Sequence, residues 1–281
     1  MTMIFRYLIV IMFLSPIYGW DVSAFDFMTG HGTGLGGTVI LSESSASMLV
    51  SVPSGGISPG EAKVQVSANR NFEMKELDQV FMAMAYRYHQ LTPSFGLAQL
   101  GHGDFYLERI VKANLAWHFD SLTVGVSLSS SQISFGNHYG GLGAVTLGSG
   151  ISWRTARFYA ALVTDNLTSP EFGSASPALN PRYAFYVEIE GEGMFSLMGR
   201  ATLEKTERPQ FAIGQKTDFF ENGSLYWGLS SAPLEYGGGV EMALNRNHLG
   251  FFFCYHPSLG FSRSVSLSID IGASPNKEDH N

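Results

Sequence analysis

Three groups of residues in this 281-residue chain have the chemistry of a site: a glycine run near the start, eight scattered histidines, and a few ionisable side chains set into apolar stretches. Gly32, Gly34 and Gly37 satisfy the spacing G-x-G-x-x-G, which in nucleotide-binding proteins turns the chain tightly and brings backbone N–H groups up to a pyrophosphate. That use needs a strand before the glycines and a helix after them. Neither pattern is present, so no nucleotide site is expected. G-x-S-x-G, H-E-x-x-H and the P-loop are absent. His102-Gly103-Asp104 reads as a loop turn rather than a metal pair. A hydrolase needs a hydroxyl beside a base, and His118 with Ser127 or Ser129 across a hairpin is the pair to inspect. With no activated nucleophile in view, the chain is expected not to be an enzyme and to carry no cofactor or metal.

The ionisable candidates are Arg87, Lys112, His118, Glu188, Arg200 and Glu241, which fall on the inward, lumen-lining face of these alternating stretches. Two readings stay open for them: a lining that selects solutes by charge, or paired charges that tie opposite walls together. Cys254 is the single cysteine. It has no partner for a disulfide, and packing explains its place between Phe253 and Tyr255.

The elements that position these residues announce themselves by period. From about residue 60 the apolar side chains recur every second position, the spacing of a strand. Leu122, Val124, Val126 and Leu128 share one face, and Thr123, Gly125, Ser127 and Ser129 the other. Just before them Val111, Ala113, Leu115, Trp117 and Phe119 alternate with Ile110, Lys112, Asn114, Ala116 and His118, with Asp120-Ser121 as the turn. Similar segments recur to Ile271, and together with Ala62 to Arg70, Val80 to Tyr88 and a weaker piece from Phe95 to Leu107 they predict about 12 to 14 strands. Many run to about ten residues, the length a tilted strand needs to cross a bilayer.

Composition separates the two all-β architectures. Charged residues are 15% of the chain, apolar residues 45% and aromatics 13%, with 32 glycines. A soluble sandwich shows charge on its outer face, whereas here the polar face is Gly, Ser, Thr and Ala. Small polar residues suit the interior of a closed barrel whose apolar face meets lipid. Tyr86, Tyr88, Trp117, Phe119, Trp153, Phe219, Phe220 and Tyr255 near strand ends fit interfacial girdles. Lys and Arg number 17 against 24 Asp and Glu, a net charge of -7 with no basic stripe, so nucleic acid is not an expected partner. Met1 to Gly19 carries Arg6, the apolar run Tyr7 to Leu14 and Pro16, the pattern of an export signal, with cleavage after Gly19 or Ala24.

The segment after the signal resembles a known family. Phe25-Asp26-Phe27, Gly30, Thr33-Gly34-Leu35-Gly36-Gly37-Thr38, Ser44-Ser45-Ala46-Ser47 and Pro53 are similar to the opening of the PorV/PorQ group of barrels, relatives of the FadL-type long-chain fatty acid transporters. Leu162 to Leu167 with Pro170, and Tyr255-His256-Pro257-Ser258-Leu259-Gly260 leading into Val265 to Ile271, resemble later segments of the same group. The chain departs at Ser51-Val52-Pro53-Ser54, where the group has Asn-Pro-Ala, and in the tail after Ala273. The resemblance implies a barrel of about 14 strands with an N-terminal segment in the lumen, and makes Gly34, Gly36, Gly37, Ala46 and Pro53 its plug or hatch residues.

The expected organisation is a signal over 1–24, a plug-like segment over 25–60, a closed antiparallel up-and-down transmembrane barrel over 61–272 and a polar tail over 273–281. The expected setting is the bacterial outer membrane, with its lipid as the first partner. The leading expectation is a non-enzymatic export-accessory or structural barrel with secretion-system components as partners. The alternatives are a FadL-like passive transporter of hydrophobic small molecules and a secreted soluble β-sheet protein.

Overall fold

The computed structural model describes residues 30–42, 45–102, 106–136, 141–170, 179–191, 195–205, 207–220 and 222–272. The signal and Phe25-Asp26-Phe27 lie outside the described residues, as do Ser44, Gly103, Asp104 and the tail over 273–281.

Alternation produces strands along the whole chain after residue 61. They are β1 (Ala62–Arg70), β2 (Asp78–Tyr86), β3 (Leu91–His102), β4 (Tyr106–Phe119), β5 (Leu122–Phe135), β6 (Gly141–Arg154) and β7 (Phe158–Asp165), followed by β8 (Arg182–Glu190), β9 (Phe195–Glu204), β10 (Gln210–Phe220), β11 (Gly223–Ser231), β12 (Leu234–Leu244), β13 (Asn247–His256) and β14 (Gly260–Ile271). Each pairs antiparallel with its neighbours in sequence, and β1 pairs with β14 from Ala62↔Ile271 to Arg70↔Arg263, closing the barrel. Closure leaves no edge whose N–H and C=O groups would stand unpaired in hydrocarbon.

The two faces are sorted as a bilayer requires. Val124, Val126 and Leu128 are 40%, 57% and 51% exposed, while Ser127 between them is 3% exposed. In register with them stand Trp117, Leu115 and Ala113 on β4, and Ile151 and Leu147 on β6, so the outward apolar set is continuous from strand to strand. A secreted soluble sheet would bury that belt instead of displaying it. The chain ends of the barrel and the tight turns at His89-Gln90, Asp120-Ser121 and Asn245-Arg246 share one end, which marks it as periplasmic. Tyr86, Tyr88, Trp117, Phe119, Trp153, Phe219 and Phe220 collect at that end as exposed aromatics, and Trp117 and Phe119 stack with ring centroids 5.8 Å apart.

Two strand boundaries differ from the sequence reading. The weak piece from Phe95 to Leu107 is β3, which starts at Leu91, followed by the first residues of β4. Pro93 sits inside β3 opposite Leu115 and hides its start, because proline cannot donate to the ladder. Gly101, with φ of +90°, lies one residue before the end of β3, where its backbone packs against the Tyr106 carbonyl. The segment Val80 to Tyr88 stops as a strand at Tyr86, and Tyr88 and Leu91 exchange both backbone hydrogen bonds, at 2.8 and 2.9 Å, around the turn.

The sorting of faces has a measurable consequence. Val126→Arg places a cation on the lipid face and is expected to cost about 2–4 kcal/mol if the site is near the bilayer midplane. Ser127→Ala removes a buried hydroxyl that has no hydrogen-bond partner and is expected to be neutral or slightly stabilising. Reversible urea unfolding in lipid vesicles measures both.

Candidate functional site: a plugged lumen with an apolar mouth

The lumen is filled by the chain that precedes β1. Residues Gly30–Gly34 form a short helix, α1, and Ala46–Ser51 a second, α2, whose N-cap Ser45 accepts from Met48 N at 3.1 Å. Helices this short do not hold themselves together in water. Contact with the wall holds them. Leu35, Leu49, Val50 and Val52 are fully buried or nearly so, each contributing roughly 1.5–3 kcal/mol relative to exposure. They pack on inward wall residues in three clusters. Met48, Leu49, Val52 and Ile57 meet Ala161, Val163 and Tyr186; Ala46 and Val50 meet Phe81, Ala98 and Ile110; Leu35 and Ile40 meet Met198, Tyr226 and Phe252.

Inward glycines on the wall make this fit possible. A Cβ on Gly125 would overlap the Pro53 carbonyl, one on Gly228 the backbone of Leu35, and one on Gly237 would come 2.5 Å from the carbonyl oxygens of Thr33 and Gly34. Plug backbone therefore lies directly on wall backbone. From the plug side, Gly36 and Gly37 have φ of +63° and +83°, and a Cβ on them would come within 2.9 Å of Leu229 backbone and 2.8 Å of the Arg200 guanidinium respectively. The plug candidates Gly34, Gly36, Gly37, Ala46 and Pro53 thus all sit in the lumen. The wall glycines that receive them did not stand out in the sequence. Their signal was glycine on the polar face of an alternating strand.

Neutral side chains clamp the α2 half of the plug. Asn114 Nδ2 donates to the Leu49 and Val50 carbonyls at 2.6 and 3.2 Å, and Ser152 Oγ donates to Ser54 O at 2.6 Å. Ser47 N donates to Gln65 Oε1 at 3.2 Å.

The ionisable candidates are spread over the lumen. Glu188 is 0% exposed and accepts from Leu41 N, Ser42 N and Ser42 Oγ at 2.5, 2.8 and 2.5 Å. Lys112 on β4 bridges to Asp165 at the end of β7 at 2.9 Å, its side chain passing inward of β5 and β6. Arg87 lies beyond β2, in the periplasmic turn, and donates to Ile57 O at 2.7 Å and His89 O at 2.9 Å. Arg200 lies beneath Gly37. Glu241 meets the Tyr226 hydroxyl at 3.3 Å and His248 Nδ1 at 3.5 Å. His248 and Lys63 both approach Asp270, at 3.8 and 3.0 Å, so this chain of groups extends across the β14–β1 closure.

His118 does not meet Ser127 or Ser129. Its Nε2 lies 2.8 Å from Thr92 Oγ1 and its Nδ1 3.0 Å from Thr123 Oγ1, and the register sets Ser127 opposite Asn114 instead. Among the described residues no group of three His, Cys, Asp or Glu is arranged to hold a metal ion.

At the extracellular end the wall changes height and then changes sign. β4, β5 and β6 have 14 residues each and β7 has 8. β6 pairs with β7 only over Ser149–Arg154, so Gly141–Gly148 rises past the end of β7. On the raised part the outward face carries Gln132, Ser134 and Arg109, whose Nε donates to Gln99 at 3.1 Å. The face that continues the lumen wall carries Tyr106, Ile110, Ile133, Phe135, Leu142 and Ala144, with Glu108, 2% exposed, between Tyr106 and Ile110 and opposite Ile133. Tyr106 and Phe135 have ring centroids 5.7 Å apart, and Phe135 and Leu142 are 42% and 37% exposed. Around Glu108 and Ser131 this inward face is mainly apolar, the sorting usual in soluble proteins.

No family model and no curated relative matches the chain. Among solved structures its fold is similar to that of the toluene transporter TodX of Pseudomonas putida, at 8% identity and a TM-score of 0.59, over 86% of this chain and 97% of that one. A TodX deletion variant described as a monoaromatic hydrocarbon channel gives 9% and 0.63 over 88% and 99% of the two chains. The outer membrane protein Omp33 of Acinetobacter baumannii gives 9% and 0.50 over 76% and 98%. What is shared at these identities is the fold. The protein is a bacterial outer-membrane β-barrel, its fold similar to that of TodX and Omp33.

Substitution at a wall glycine tests the seating of the plug. Gly125→Val is expected to cost about 1–3 kcal/mol through overpacking against Pro53. It should also raise single-channel conductance in planar bilayers by loosening residues 53–54. Gly143→Ala, which would meet nothing closer than 3.5 Å, is expected to change neither quantity.

Proposed function

We propose that this protein passes apolar small molecules across the outer membrane, with the raised β4–β6 face as the surface that gathers them. The observation that carries the reading is the exposed lumen-side patch of Phe135 and Leu142 beside Tyr106 and Ile133. It lies beyond the lipid belt, where no bilayer covers it, and exposed apolar surface gathered in one place is the mark of a binding surface. The plugged lumen below is consistent with passage of single small molecules rather than an open aqueous pore. The hydrocarbon channels that share the fold support the same class of ligand.

On this reading the partners are outer-membrane lipid around the belt and a hydrophobic small molecule at the mouth, and the protein is not an enzyme. Nothing in the wall, plug or mouth speaks for the export-accessory role, and the channel reading is preferred to it.

The test is uptake of a labelled monoaromatic hydrocarbon into vesicles containing the purified protein. Phe135→Ser with Leu142→Ser is expected to lower the initial rate about tenfold, corresponding to roughly 1.4 kcal/mol of lost apolar contact. Heat-modifiable migration on a gel should remain unchanged. Equal rates for the variant and the parent protein would remove the basis of the reading.

A further inference from the structure

We propose that Glu188 is the latch of the plug: its carboxylate holds the limb at residues 39–42 against the β8 wall, and the lumen opens along that limb when the grip is lost. The proposal builds on the channel reading for its purpose, since a latch matters only if something passes, but its geometry stands apart from any ligand.

The limb and the α2 half are held by different chemistry. Residues 47–54 are clamped by neutral groups, Asn114, Ser152 and Gln65, and their backbone rests on Gly125 and Gly150, where a side chain would intrude. The limb is held by a charge. Glu188 takes both successive N–H groups of Leu41 and Ser42 on one oxygen and the Ser42 hydroxyl on the other. Bonds to an ionised acceptor are roughly twice as strong as neutral ones. Burying a carboxylate is costly unless donors meet it, and here the plug's own backbone supplies donors.

The limb is also the less buried half. Val39, Leu41 and Ser42 are only partly covered, whereas every residue from Ala46 to Val50 is buried. Val39 and Leu41 lie against the cluster formed by Met48, Val52 and Tyr186, so a limb that swings away uncovers a passage beside β7 and β8 and leaves α2 in place. Ile40 is the one residue of the limb that is buried, against Met198, Tyr226 and Phe252, so the limb has fewer buried anchors than α2, and local openings are drawn from the less buried segments. Such a device sets the leak of the closed barrel and the ease of its opening with one side chain.

The experiment places a reporter cysteine at Val39 and follows its reaction with a bulky, membrane-impermeant maleimide, with the parent protein, whose single thiol Cys254 is buried, as the blank. Glu188→Ala is expected to raise the labelling rate of Val39→Cys by at least about tenfold, the scale set by losing charge-assisted hydrogen bonds. Glu188→Gln, whose amide oxygen still accepts from the two N–H groups, should fall between. A second reporter, Ser47→Cys in α2, should stay protected throughout. Unchanged labelling at Val39→Cys in a correctly folded Glu188→Ala barrel overturns the proposal, and so does equal exposure of both reporters, which would mean that the plug leaves as one body. Should Glu188→Ala fail to fold, Ser42→Ala removes one of the three bonds from the plug side and must still speed labelling; an unchanged rate overturns the latch. Hydrocarbon uptake measured on the same samples separates the two ideas, because the channel reading can fail there while the labelling result stands.

Discussion

A polypeptide backbone in hydrocarbon has no water to bond to, and that single deficit organises this molecule. Every N–H and C=O in the belt must find its partner on a neighbouring strand, so the sheet has to close, and β1 meets β14 along its whole length. Closure then reverses the usual use of side chains. Apolar residues are spent on the outside, where lipid solvates them, and the interior is left to whatever fits within a narrow ring.

What fits is small. Inward Gly, Ala, Ser and Thr leave a lumen wide enough to take a second layer of chain, and residues 32–42 and 45–57 lie in it. The match is backbone to backbone at Gly125, Gly228 and Gly237, with Leu35, Leu49 and Val52 supplying the apolar burial that the wall itself does not provide. Several polar groups are engaged across the space between plug and wall: Asn114 with Leu49, Ser152 with Ser54, Glu188 with Leu41 and Ser42. Wall and plug form one packed unit below the mouth, and the exposed apolar surface on the lumen side is found above it, on β4 to β6.

Much of this was legible from residue order. The segment Ala62 to Arg70 is β1 to the residue, and the hairpin of Val111 to Leu128 has the expected faces in the expected directions. The start of β3 was obscured because Pro93 breaks the strand signature while the barrel tolerates it. The pairing of His118 with serine failed because register, not proximity in the hairpin, decides contacts: Thr123 stands opposite His118, and Ser127 opposite Asn114. Arg87 falls on the inward face of the expected strand Val80 to Tyr88, yet it belongs to the turn below β2, one residue past the strand. The raised tips of β5 and β6 escaped notice because Ile133, Phe135 and Leu142 follow an alternation of the opposite sign to the belt beneath them.

The sequence alone determined the approximate number and run of the strands, their sidedness and the closed form, because a period of two with one greasy face has few solutions in a bilayer. Only the tertiary structure decided which glycines receive the plug, which donors meet Glu188, and that Lys112 reaches Asp165 across two intervening strands. Those contacts join residues far apart in the chain through a register and a curvature that no local pattern encodes. They exist only once the ring has closed around the segment inside it.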